Sequence, residues 1–338
     1  MRVRYIESYY LESSDGLFFA VKGLIHPPQA VVAYLRYVPD PDGDRERGGI
    51  RYRRLYHFQE QEALLQERYP TYLFFDPVFG EWLQGVPHEH VRQVYDPCLK
   101  LAQLRRSKDL DELQEKAVEF TGLLRERAKV PEESIGVSGS ILVGLHTTQS
   151  DQDFVVYGSE NCWAVHDTLR ELLDQASSGV EGLDRKGLEE LYAFRSQDTP
   201  MSFEDFSKTE GRKVIQGKFR GCEYFIRFVR EPAELGEGYD DKRYASLGQA
   251  EVEVTVTDTS EAIFTPCSYK VGDVRLVRGQ PAAPLLEEIV SFRGRFCEQA
   301  REGERARARG KLERVITKEG TIHYRLLLGG AGDFMIVA

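Results

Sequence analysis

Two carboxylates separated by one residue, Asp151 and Asp153, stand at the head of the apolar run Phe154 to Tyr157. On extended backbone, residues two apart point to the same face. The two acids therefore project side by side from the start of a buried strand. Like charges held so closely repel unless cations sit between them, and hard oxygen ligands suit Mg²⁺ or Mn²⁺. Upstream, Ser138-Gly139-Ser140 is a small-residue turn that opens a short helix-like run. Free N–H groups at such a turn donate to phosphate oxygens. A phosphate cradle followed by paired acids is the equipment of metal-assisted phosphoryl or nucleotidyl transfer.

These residues need elements to position them. A charged helical stretch from Asp96 to Ala128 precedes the turn, with Leu101, Leu104, Leu113 and Leu123 at roughly helical intervals. An amphipathic helix is expected over Glu160 to Gln175, with Trp163, Val165, Leu169 and Leu172 inward, and another near Arg185–Ala193. Strand candidates Arg212–Phe219 and Cys222–Val229 flank Gly221, so the middle of the chain reads as α/β with a mixed sheet. Before it, β-rich runs are parted by Asp15-Gly16 and His26-Pro27-Pro28, and a helix is expected over Phe58–Glu67. A second helix is expected to open at Pro87 and run to Tyr95, because proline suits a first helical turn. After Leu235, short strand runs alternate with glycine-containing turns, which predicts a small β-barrel. The expected fold class is a multidomain α+β chain. Its parts are an N-terminal α+β domain with a helical linker (1–130), a central α/β domain (131–234) and a C-terminal β-barrel (235–338).

The bulk properties narrow the partners. A chain of 338 residues with 41% hydrophobic and 11% aromatic residues has ample core material and is long enough for two or three domains. A formal charge of −10 argues against a protein that coats nucleic acid indiscriminately. The five cysteines form no CxxC pair, so neither a zinc site nor a disulfide framework is indicated. No signal-like or membrane-spanning run is present, and a cytoplasmic location with no membrane partner is expected. His88 and His90 would diverge on a helix, which disfavours metal ligation. Residues Arg305, Arg307 and Arg309 alternate on a predicted strand and would share one face, a surface that RNA or DNA could track.

The middle segment resembles the DNA polymerase β-type nucleotidyltransferase superfamily, in its archaeal-type predicted members. The resemblance rests on Gly139-Ser140, Gly144 and Ser150-Asp151-Gln152-Asp153 followed by an apolar strand, in that order. It implies that Ser138, Gly139 and Ser140 hold the terminal phosphates of a nucleoside triphosphate. It also implies that Asp151 and Asp153 bind two Mg²⁺ (or Mn²⁺) ions. Relatives often carry a basic residue inside the turn, where this chain has Ile141, Leu142 and Val143. Lys213, Lys218 and Arg220 are the expected substitutes. Relatives also place a third acid on a neighbouring strand. Here Phe225 takes that place, and Glu223, two residues earlier on the same face, is expected as the third metal ligand and proton acceptor. The implied activity is transfer of a nucleoside monophosphate from an NTP to a hydroxyl, with release of pyrophosphate. The alternative is a catalytically incomplete scaffold of the same fold that binds nucleotide or RNA.

Overall fold

Alternating large apolar residues build the first sheet. The computed structural model describes residues 4–197 and 200–337. Its first strands are β1 (Tyr10–Ser13), β2 (Phe18–Val21), β3 (Ala30–Pro39), β4 (Arg45–Arg47) and β5 (Ile50–Arg54), followed by helix α1 (Phe58–Arg68). Then come β6 (Leu73–Asp76), β7 (Glu81–Pro87) and β8 (Val91–Tyr95). The order is β4-β5-β3-β2-β1-β8, with β7 paired to β3 and β6 to β7. One face of this sheet sends Leu11, Phe19, Val31, Ala33 and Leu35 into a core. The other carries Tyr10, Phe18, Ala20, Tyr37 and Tyr52. The helix expected from Pro87 to Tyr95 is not formed. Residues His88–His90 make one 3₁₀ turn, and Val91–Tyr95 pairs antiparallel with β1. The valines and the tyrosine of that run favour the ladder, and the first-turn proline belongs instead to Pro97.

Helices α2 (Pro97–Arg106) and α3 (Glu112–Ala128) are parted by a short polar break. Asp96 caps the first, and a capping box of Asp111 with Gln114 opens the second. The chain continues through β9 (Ile135–Val137), α4 (Gly139–Val143), β10 (Gln152–Tyr157), α5 (Ser159–Leu173) and β11 (Val180–Glu181). Next are α6 (Arg185–Arg195), α7 (Phe203–Glu210), β12 (Gln216–Phe219) and β13 (Cys222–Val229). The second sheet has the order β11-β12-β13-β10-β9. It is mixed, because β10 runs parallel to β13 and antiparallel to β9.

Both faces of β10 are apolar. Phe154 meets Phe120 of α3, which also stacks on Phe219 at 4.6 Å between ring centroids. On the opposite face Val155, Tyr157 and Val229 enter the same core as Leu11 and Phe19 of the first sheet. The Tyr157 hydroxyl donates to the Glu7 carbonyl at 2.9 Å. A strand with two apolar faces needs a cover on each. Helices supply one and the N-terminal sheet supplies the other. Most of the chain expected as separate first and second domains lies in one compact unit, Met1–Asp76, Glu81–Val180 and Gly217–Gly236, while 77–80 and 181–216 fall in the other.

The second unit comprises Pro77–Gly80, Glu181–Gln216 and Glu237–Ala338. Its strands are β14 (Lys242–Asp258), β15 (Cys267–Gly279), β16 (Leu286–Ser291), β17 (Arg305–Thr317), β18 (Ile322–Leu328) and β19 (Phe334–Val337). β14 pairs with both β15 and β17, and the chain of pairings runs on from β15 through β16 and β18 to β17. Five strands thus return on themselves, with β16 and β18 the parallel pair. On β17, Ala306, Ala308 and Leu312 are buried while Arg305, Arg307 and Arg309 are exposed. That shared face agrees with the alternation in the sequence. It is not a free basic stripe, since Arg307 Nε donates to Glu251 of β14 at 2.6 Å. The chain is mixed α/β with three sheets. Among the described residues no helix is long and apolar enough to cross a membrane, and the five cysteines are free thiols.

Candidate active site

The turn before β10 is shaped around Asp153. The Ser138 amide donates to the Asp153 carbonyl at 2.8 Å, which ties the turn to the head of the strand. Gly139 follows with φ 58°, in the left-handed region. A Cβ there would lie 2.2 Å from Asp153 Oδ2, so only glycine lets the carboxylate approach the backbone so closely. Helix α4 then runs five residues and ends at Gly144, also left-handed. Ile141, Leu142 and Val143 are buried, and Leu142 and Val143 pack against Tyr10, Phe18, Tyr37 and Tyr52. This packing explains why the turn carries no cation, since its side chains anchor it to the first sheet. The Ser138 hydroxyl is also engaged, donating to the Ser8 carbonyl at 2.7 Å. Ser8 is itself left-handed at φ 75°, a strained conformation for a residue with a Cβ. The Ser138 side chain is therefore a structural latch, which corrects its expected place among the phosphate ligands.

The electrostatics centre on Asp151. Its carboxyl is pushed above the ordinary range, first by the charge of Asp153 and then by burial, against the pull of Arg54. Among the described residues Asp151 has no ion-pair partner. Asp153 has one, because Arg227 Nη1 lies 3.4 Å from its Oδ1. Arg227 comes from β13, two residues beyond Phe225, which pairs with Asp153 in the parallel ladder. Arg227 also reaches toward Glu7, which holds Lys22 Nζ at 2.7 Å. Arg54 arrives from β5. Burial disfavours its charge, yet the phenol of Tyr37 and the carboxylates of Asp151 and Asp153 outweigh that cost and hold it protonated. Burial raises the phenols of Tyr10 and Tyr37, and Asp153 adds to both shifts.

Glu223 is exposed at the start of β13. Continuing the register from Gln152 opposite Tyr224 puts it level with Asp151, and its charge contributes to the rise of the Asp151 carboxyl. No group of three His, Cys, Asp or Glu that could hold a metal is gathered among the described residues. The three-carboxylate cluster expected from the sequence is thus not assembled, because Phe225 and Arg227 occupy the positions beside Asp153.

The expected phosphate cations fare differently from one another. Lys213 belongs to the second unit, where its side chain is fully buried. Its Nζ donates to Glu210 at 2.7 Å, to the Arg295 carbonyl at 2.6 Å and to Gln299 at 2.9 Å. It is a core ion pair and not a phosphate ligand. Arg220 sits at the β12–β13 turn and pairs with Glu119 at 2.7 Å. Lys218 lies on β12, on the face opposite Phe219 and two strands from Asp153, roughly 10 Å by strand spacing. The positive groups whose charge acts on the acids are instead Arg227 and Arg54. Arg54 lies far upstream of the acids on β5, and its charge acts on both of them through the fold. Arg227 was legible as the residue sharing a face with Glu223 and Phe225.

The chain is similar to the uncharacterized protein MJ1086 of Methanocaldococcus jannaschii, with 32% identity over 330 residues, 95% of this chain and 94% of that protein. It belongs to the same family as that protein. No family model matches the chain, and no solved structure matches it.

Proposed function

We propose that this member of that family is a metal-dependent nucleotidyltransferase of the DNA polymerase β type. The observation that carries the reading is Asp151, a carboxylate without an ion-pair partner among the described residues, crowded by Asp153 at the mouth of the Gly139 turn. A pair of hard oxygen donors whose mutual repulsion raises one of them fits a divalent cation, and Asp151 and Asp153 would hold it. Bound there, Mg²⁺ or Mn²⁺ supplies neutralisation of charge on the transferred phosphate. The backbone of the Gly139-Ser140 turn orients the departing pyrophosphate. Glu223, exposed and level with Asp151, accepts the proton of the attacking hydroxyl. A bond forms between that oxygen and the α-phosphorus as the bond from the α-phosphorus to pyrophosphate breaks. A nucleic-acid end is the acceptor class favoured by Arg305 and Arg309, exposed on the second unit.

A second reading, a nucleotide- or RNA-binding scaffold that no longer transfers, is favoured by one arrangement: Arg227 sits on Asp153 where a third acid would complete the site. Incubation with each labelled NTP, Mg²⁺ or Mn²⁺ and pools of RNA and protein separates the two. Label transferred by the native chain and lost in Asp151→Ala supports transfer. Nucleotide binding without label on any acceptor supports the scaffold and sinks the enzyme.

A further inference from the structure

We infer that Arg36 and Arg54, both on the N-terminal sheet, are the polyphosphate-binding residues of this site. The inference rests on the proposed nucleotide reading and names the groups that would recognise the triphosphate. A nucleoside triphosphate carries several negative charges over its three phosphates, more than one divalent cation neutralises, so the protein must add positive groups. The Gly139 turn adds none, because Leu142 and Val143 are spent in packing. The surface they pack against is the tyrosine-bearing face of the first sheet. On β5, Arg54 pairs with Tyr37 across the ladder and so shares its face. On β3, Arg36 precedes Tyr37 at a register irregularity between Phe18 and Phe19 of the partner strand, which turns both toward that face.

The charges on that face point inward to the acids. Arg54 acts on both Asp151 and Asp153, while Arg36 acts on Tyr10 and Lys22, neighbours of Asp153 and Glu7. Neither arginine has a carboxylate within ion-pair distance among the described residues. Arg54 Nε is buried and donates to no described group. The other cations are committed, Lys22 to Glu7 and Arg227 to Asp153 and Glu7. Two guanidinium groups without a carboxylate partner, Arg54 stacked only on the Tyr56 ring at 4.5 Å, suit a planar, bidentate phosphate clamp. The same face carries Tyr10 and Tyr37, whose hydroxyls stay protonated and can donate.

The test uses the full chain and inorganic tripolyphosphate in titration calorimetry, without metal, beside NTP transfer kinetics with Mg²⁺. Arg54→Gln and Arg36→Gln should each weaken tripolyphosphate binding by about tenfold or more. Arg54→Lys should restore part of the loss, and Asp151→Asn should leave binding equal or tighter. In transfer, KM for NTP should rise in both glutamine variants more than kcat falls. Arg185→Gln with Lys186→Gln, both exposed on α6, should change neither readout, and melting temperature checks that each variant folds. Unchanged tripolyphosphate affinity in both glutamine variants, or no binding by the native chain, overturns the inference. Transfer with unaltered KM in those variants overturns it while the enzymatic reading stands. Arginine-dependent binding without any transfer upholds the clamp and sinks the enzyme.

Discussion

Replacing Asp151 with asparagine removes one charge of the repelling pair while keeping the side-chain volume. Extended residues two apart are separated by about 6.6 Å at a rise of about 3.3 Å per residue. Two unit charges at that distance repel by roughly 2.5 kcal/mol with an effective dielectric near 20. The pull of Arg54 on Asp151 offsets part of this, so the expected net gain is about 1–2 kcal/mol where both carboxyls are ionised, without metal. The direction follows from proton linkage. The Asp151 carboxyl is raised in the folded chain, so between its ordinary and its raised value the native state binds more protons than the unfolded state. Stability therefore falls as pH rises through that window, and the full penalty is present above the raised value. Both tryptophans, Trp82 and Trp163, lie in the unit that holds the acids, so their fluorescence during urea unfolding in EDTA follows that unit. Mg²⁺ at a hundred times its dissociation constant should then stabilise the native chain by about 2.7 kcal/mol and the variant by far less. A variant less stable than the native chain in EDTA, or equally stabilised by Mg²⁺, would refute the repelling pair as a metal site.

Gly139→Ala should lose at least about 1–3 kcal/mol, since its Cβ meets Asp153 and its φ is left-handed; chemical denaturation checks this, and weakened Mg²⁺ binding should accompany it. Lys213→Ala should destabilise the second unit by up to about 3–5 kcal/mol, leaving buried Glu210 with only Arg195 as a cation partner. Nucleotide affinity per folded molecule, measured on the soluble fraction, should not change. His26 is held neutral, with its pKa lowered to about 4 by burial. Its Nδ1 accepts from the Val32 amide and its Nε2–H donates to the Tyr5 carbonyl. The unfolded state takes the proton first, so stability should fall as pH drops from about 6.5 to about 4, by up to roughly 3 kcal/mol, and His26→Gln should flatten that limb of the urea-unfolding profile.

Much of the scaffold was legible because its signals are local. The small-residue turn at Gly139 and the apolar run Phe154–Tyr157 each fix their element within a few residues. The alternation Arg305-Ala-Arg-Ala-Arg set inside and outside on β17 before any partner was known. Errors arose where a local signal was shared by two structures. Pro87 suits a helix start, but the following Val91–Tyr95 found a strand to pair with. Trp163, expected inward on α5, is 37% exposed, while Cys162 and Val165 fill the core.

The paired acids and the glycine turn were determined by the sequence itself, because spacing along a strand and a backbone requirement at one residue are properties of neighbours. The surroundings that set their charge were decided only by tertiary structure. Lys213, close in sequence to β13, is buried elsewhere against Glu210, whereas Arg54, nearly a hundred residues before Asp151, is brought beside it by strand pairing. Phe225 and Arg227 face Asp153 through the register of a parallel ladder. Coulomb interactions depend on distance through space, and strand register and sheet packing set that distance. A single chain's residue order does not state which distant strands will meet.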